Sequence, residues 1–208
     1  MGLRKTTAFD PLREVVERGH ARDMPGLLKQ LGEGDAEQRR WAARDLGAHP
    51  AAAAALGQRL SAETDPGVRE ALFVGLGTMA SEAAAAALLP LLRSEDAALR
   101  NGAIESLGAM PGAVAPRIKA LLADGDSDVR LLTVNLLGEL RHEQVPAWLL
   151  QVLQRDPHVN VVAAALEVMA EAGRPEHQTA LQAVRQRFPD DAFIDFAVDM
   201  ALQRMSAP

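Results

Sequence analysis

The chain contains no cysteine. That excludes disulfide staples, thiolate zinc sites, iron–sulfur clusters and cysteine nucleophiles together. Tyrosine is absent too, and aromatic residues make up only 3% of the 208 positions, a composition that does not build a deep aromatic-lined pocket. No stretch approaches the roughly 18–20 uncharged apolar residues needed to cross a bilayer, because the Ala-rich runs AAAAALGQRL and EAAAAALLPLLR are short and bounded by charge. The opening MGLRKTTAFDPLREVVERG lacks the apolar centre of a secretory signal, so a cytoplasmic protein without membrane contact is expected. A surplus of positive charge is also missing. The net charge is −6, with 13 Lys+Arg against 14 Asp+Glu in residues 1–104 and 9 against 14 in residues 105–208. Nucleic-acid binding draws on a basic stripe that displaces counterions, and no nucleic-acid partner is expected here.

What the chain does have is apolar mass in small pieces. Hydrophobic residues reach 48%, mostly Ala, Leu and Val, enough to bury a core of closely spaced helices. Those residues recur in a repeated sentence. TDPGVREALFVGLGTMA, EDAALRNGAIESLGAMP and GDSDVRLLTVNLLGELR each place an acid, then an apolar residue three later, then Arg. The sets are Asp65, Val68, Arg69; Asp96, Leu99, Arg100; and Asp126, Val129, Arg130, continuing to Leu76-Gly77, Leu107-Gly108 and Leu137-Gly138. An earlier copy has Asp35, Arg39, Leu46 and Gly47, with Gln38 at the apolar position. The period of 30 or 31 residues is the signature of a solenoid. A looser copy starts at Asp156 with two extra residues in its turn, and PDDAFIDFAVDMALQRM reads as a terminal one. Terminal repeats deviate because their outer face meets water.

Each unit reads as two helices. Segments such as MPGLLKQL, SEAAAAALLPLLRS and QVPAWLLQVLQ carry Leu at helical spacing and form the first helices. The aligned stretches form the second. Asp65, Asp96 and Asp126 stand where N-caps belong, and Pro66 and Pro157 at first helical positions. The glycines Gly77, Gly108 and Gly138 are expected to permit close approach of the next helix or to help end their own. The Arg39, Arg69, Arg100, Arg130 column is expected to be structural, pairing with the acid of its own turn or of the neighbouring repeat. Alternating strand patterns are absent.

The pattern resembles the HEAT repeat, and is similar to the short bacterial kind found in phycobilisome lyase subunits. The resemblance covers roughly residues 24–205 and implies an all-α, right-handed α-α superhelix of about five to six two-helix repeats, with a capping helix near residues 11–18 inside an N-terminal segment 1–23 and a single repeat domain over 24–208. It also implies a non-enzymatic scaffold that binds a protein partner. The alternative it implies is a lyase-type or chaperone-like subunit acting with a second subunit in bilin attachment. Hydroxylases that the fold also resembles carry several His-Glu pairs around a di-iron centre. Here there is one, His142-Glu143, in a turn, with Glu176-His177 reversed. No metal and no cofactor is expected. Glycosylase-like relatives need a cationic groove with stacking aromatics, and this chain has only Trp41 and Trp148, both expected in the core. Nothing resembles a nucleophile elbow, a phosphate-cradling glycine loop or a zinc-protease helix.

The candidate binding residues follow from helical geometry. Counting the N-cap as zero, positions three, seven and eleven of a second helix face the core, and five, nine and thirteen form the opposite stripe. In two-helix solenoids the second helices line the concave face. The stripe reads Arg40 and Arg44, then Glu70, Val74 and Thr78, then Asn101 and Glu105, then Leu131, Asn135 and Glu139. With the two-residue shift it continues to Glu167 and Glu171, and Asp195 and Asp199 are expected to close it. It starts basic and turns acidic, which fits a protein partner presenting a basic segment.

Overall fold

A computed structural model describes residues 21–205 of the chain. The capping helix expected near residues 11–18 lies outside the described residues. Twelve α-helices follow one another among those residues, with no strand. They pair into six units: α1 (Met24–Glu33) with α2 (Ala36–Leu46), α3 (Ala53–Ala62) with α4 (Pro66–Met79), and α5 (Glu82–Leu88) with α6 (Ala97–Gly108). The remaining units are α7 (Pro111–Leu122) with α8 (Ser127–Glu139), α9 (Val145–Arg155) with α10 (Val159–Ala172), and α11 (Gln178–Arg187) with α12 (Ala192–Met205). Short 3₁₀ turns at Pro50–Ala52, Leu89–Arg93 and Pro175–His177 extend three of the first helices.

The second helices start where their acids cap them. Asp35, Asp65, Asp96 and Asp126 accept from the backbone N–H groups of Gln38, Val68, Ala98 and Asp128 at 2.8–3.0 Å. Each satisfies donors that the first turn leaves orphaned. The fifth unit differs. His158 is the N-cap of α10 and makes no side-chain cap bond, while Asp156 accepts from the His158 N–H at 2.9 Å. Pro157 therefore precedes the helix and does not open it, unlike Pro66 at the start of α4. The two extra residues of that turn lie between the acid and the helix.

Core positions are filled as the count from the cap requires. Val68, Leu72 and Leu76, and Leu99, Ala103 and Leu107, are all at most 5% exposed. First and second helices share one continuous hydrophobic core along the stack. Trp148 is buried within it and stacks on His142 with ring centroids 5.0 Å apart. Trp41 is half-buried, and the segment expected to cover it lies outside the described residues.

Each second helix packs against the next one along the whole stack. Small residues make this possible. A Cβ on Gly75 would fall 2.7 Å from the Ala43 carbonyl oxygen, and one on Gly108 would fall 2.7 Å from the Glu139 Cβ. Gly138 has only ordinary contact with Val168, and nothing stands within 4 Å of a Cβ on Gly77. In the second unit the close approach is thus made at Gly75, not at Gly77.

The arginine column ties repeat to repeat. Arg39 donates to both Glu63 oxygens at 2.8 and 3.0 Å, Arg69 to Asp96 at 2.8 Å, and Arg130 to both Asp156 oxygens at 2.7 and 3.1 Å. Each reaches the next repeat's turn, while also donating to a carbonyl of the turn before its own helix. Arg100 makes only the carbonyl bonds, to Ser94 and Glu95. The fifth unit has Val162 in the column, and Arg187 from α11 takes over, donating to the Leu153 and Asp156 carbonyls. Hydrogen bonding to Asp156 holds the Arg130 guanidinium above its ordinary pKa.

Two non-glycine residues among those described take a positive φ, Ala80 and Asp190. Ala80, which ends α4, has φ 42° and ψ 39°, the left-handed region that glycine occupies at helix ends without a Cβ penalty. Ala80→Gly is expected to raise the unfolding free energy by about 0.5–1 kcal/mol, read as a higher urea midpoint with an unchanged slope.

Candidate binding surface

The twelve stripe residues from Arg40 to Glu171 all lie on second helices, with Thr78 on α4 and Leu131 on α8. Arg40 and Arg44 are on α2, Glu70 and Val74 on α4, Asn101 and Glu105 on α6, Asn135 and Glu139 on α8, and Glu167 and Glu171 on α10. Ten of the twelve are exposed, and Arg40 and Leu131 are half-buried. The side opposite the core thus changes character along its length, from arginine at the first unit to glutamate at the fourth and fifth.

The structure gathers the C-terminal members and leaves the N-terminal ones apart. Asn135, Glu139, Glu167 and Glu171 line one groove of about 580 Å³ between α8 and α10, which Glu143, Arg141, Arg174 and His142 also border. Glu105 and Glu139 share a smaller one of about 360 Å³ with Arg141. Among the described residues, Glu105, Glu139, Glu143 and Glu167 have no paired cation, and Glu171 has Arg204 at 4.0 Å. These carboxylates stay hydrated and available. Four acids in the connections are engaged instead: Glu63, Asp96 and Asp156 are held by the arginine column, and Asp124 by Arg93.

Asp195 and Asp199 do not extend the stripe. They turn toward α11, where Arg185 meets them at 3.6 and 2.5 Å. The reason is a one-residue slip in the turn. Asp190 takes a left-handed φ of 65°, and Asp191 is the residue that caps α12, accepting from Phe193 and Ile194 N–H at 3.0 and 3.1 Å. Counting from Asp191 puts Ile194, Val198 and Leu202 at the core positions and Phe196, Met200 and Arg204 on the stripe. The apolar trio Ile, Val, Leu identifies the correct cap, since counting from Asp190 puts Phe193, Ala197 and Ala201 there instead. Phe196 and Met200 are the surface residues that this slip hides.

Among the described residues, no group of three or more His, Asp or Glu side chains could hold a metal ion. No helix among them is long and apolar enough to cross a membrane.

A family model described as HEAT repeats matches residues 24–112 and 114–202. The chain is similar in fold to an archaeal HEAT-like repeat protein from Thermococcus onnurineus NA1, at 18% identity over 86% of this chain and 87% of that one, TM-score 0.41. It is also similar to a designed armadillo repeat protein in complex with the peptide (KR)4, at 17% identity over 88% of this chain and 100% of that one, TM-score 0.44. The complex of CpcE and CpcF of phycocyanin lyase from Nostoc sp. PCC7120 matches at 19% identity over 93% and 99%, TM-score 0.27. No curated protein matches the chain.

Proposed function

The chain belongs to the HEAT-repeat family, and on that premise we propose that it is a non-enzymatic scaffold whose inner surface binds a partner protein through a basic segment. The repeat-solenoid fold is typical of protein-binding scaffolds. The observation that carries the finer reading is the row of unpaired carboxylates Glu105, Glu139 and Glu167 on successive second helices, while Glu63, Asp96 and Asp156 in the connections are held by structural arginines. Hydrated charges on a rigid surface contribute orientation and association rate more than affinity. A row of them also selects against acidic segments, because like-charge juxtaposition is unfavourable.

Short random peptides displayed on phage and selected on the immobilised full chain test the reading. Enriched sequences are expected to carry net positive charge. A chain with Glu105→Lys, Glu139→Lys and Glu167→Lys is expected to lose that enrichment with its helical circular dichroism intact, since all three side chains are exposed. Enrichment that ignores charge, or that survives the triple reversal, would count against the reading.

A further inference from the structure

The last unit differs from the others in what it leaves in water. The exposed large hydrophobic side chains among the described residues are Val74, Phe193, Phe196 and Met200. Three of these four stand together on α12, with Phe193 56% and Phe196 63% exposed. Spacings of three and four residues put them on one helical stripe. Across from them α10 presents small side chains, Ala163, Ala164 and Ala170, so a slot of about 440 Å³ opens between the two helices. Its volume falls in the roughly 300–1,000 Å³ range of sites that take ligands. Clustered, exposed aromatic rings over an alanine floor mark an interaction site more than a solvated face.

The slot is continuous with the acidic groove. Glu167 lines both, on the rim of one and the wall of the other. The four carboxylates Glu139, Glu143, Glu167 and Glu171 around the junction outnumber its three guanidiniums, Arg141, Arg174 and Arg204, the last of which lines the slot and stands 4.0 Å from Glu171. On the α8 side an occupant that leaves the slot meets the unpaired Glu139 and Glu167.

We propose that the slot between α10 and α12 is the anchor point of the partner's segment, which carries a bulky apolar residue such as Leu, Phe, Trp or Met with Lys or Arg beside it. The apolar side chain is held between Phe196, Met200 and the alanines, and the basic groups lie along Glu167, Glu171 and Glu139. Burial in the slot supplies the affinity and the carboxylates fix direction and register. This inference rests on the reading that the inner surface takes a basic segment, and goes further by naming the second half of the recognition motif.

The same display selection separates the two. The expected result is enrichment of sequences in which an apolar residue neighbours basic ones. A synthetic copy of an enriched peptide is expected to lose about tenfold or more in affinity, by fluorescence anisotropy, when its apolar residue becomes Ser. The same loss is expected when the full chain carries Phe196→Ser and Met200→Ser, both exposed positions whose exchange leaves the helical spectrum unchanged. Basic sequences with no apolar preference, bound equally by the double variant, overturn the anchor and leave the basic-segment reading standing. Sequences without basic character overturn both. A concentration-dependent dimer in light scattering that vanishes in the double variant assigns the slot to a second copy of the chain and overturns the proposal.

Discussion

At pH 7, Glu63→Gln is expected to lower the unfolding free energy by on the order of 3 kcal/mol, and near pH 2 the difference from the parent chain is expected to disappear. Glu63 stands in the connection between α3 and α4 with its side chain 1% exposed. Burial alone pushes its carboxyl up. Hydrogen bonds from Arg39, from the Asp65 N–H, from Arg59 and from the Thr64 N–H outweigh that and hold it at about 2, against an ordinary value of 4.5. A depressed carboxyl favours the folded state when ionised. The stabilisation is complete above the unfolded pKa and fades as pH falls from about 4.5 toward 2. A shift of that size corresponds to roughly 1.4 kcal/mol per unit, in line with the loss of about 3–5 kcal/mol found when one partner of a buried pair is removed. Glutamine keeps the shape and loses the charge, so Arg39 and Arg59 are left facing each other without a counterion. Urea unfolding of both chains at several pH values checks this. Equal stability at pH 7, or a difference that does not shrink on acidification, rules out Glu63 as the electrostatic pin of the α2–α4 junction.

Glu63 also illustrates what sequence reading can and cannot reach. The caps, the core rows and the arginine column were legible because they recur: four Asp residues at a period of 30 or 31 announce themselves by repetition. Glu63 belongs to a column of polar residues two before the caps, Glu33, Glu63, Ser94 and Asp124, and what sets it apart, the convergence of Arg39 and Arg59 on it, does not repeat and emerges only in three dimensions. The same logic separates the two ends of the stripe. From α2 to α10 the count from the cap places each side chain on the exposed side, because helices preserve register over three turns. At α12 one left-handed residue, Asp190, shifts the count, and a stripe read as Asp195 and Asp199 becomes Phe196 and Met200. Turns store single-residue slips that no helical period reveals. The glycines teach the opposite lesson. Leu-Gly pairs recur at Gly77, Gly108 and Gly138, yet only Gly108 makes a contact too tight for a Cβ; a shared letter does not mean a shared packing demand.

Two substitutions two residues apart in α4 turn that lesson into opposite signs. Gly75→Ala is expected to destabilise by about 1–3 kcal/mol, whereas Gly77→Ala is expected to stabilise by about 0.5–1 kcal/mol. Both glycines are helical, and neither has a positive φ, so alanine gains the same intrinsic helix preference at each. The difference is the neighbour. At Gly75 a methyl group would sit 2.7 Å from the Ala43 carbonyl oxygen, a backbone atom within α2 that cannot rotate away. Gly47 meets the same spot from the other side, where its own Cβ would come within 3.2 Å of the Gly75 Cα. The α2–α4 spacing must then widen, and widening it also strains the bonds from Arg39 to Glu63 that span the same junction. At Gly102, by contrast, the obstruction is the Phe73 ring at 2.4 Å, a side chain that can turn, so Gly102→Ala is expected to fall between the two. Thermal midpoints of the three variants order the prediction: Gly75→Ala lowest, Gly102→Ala intermediate, Gly77→Ala above the parent chain. A Gly75→Ala chain as stable as Gly77→Ala would mean that backbone contact does not set the spacing of α2 and α4, and that the glycines at this junction are not there to let the two helices approach.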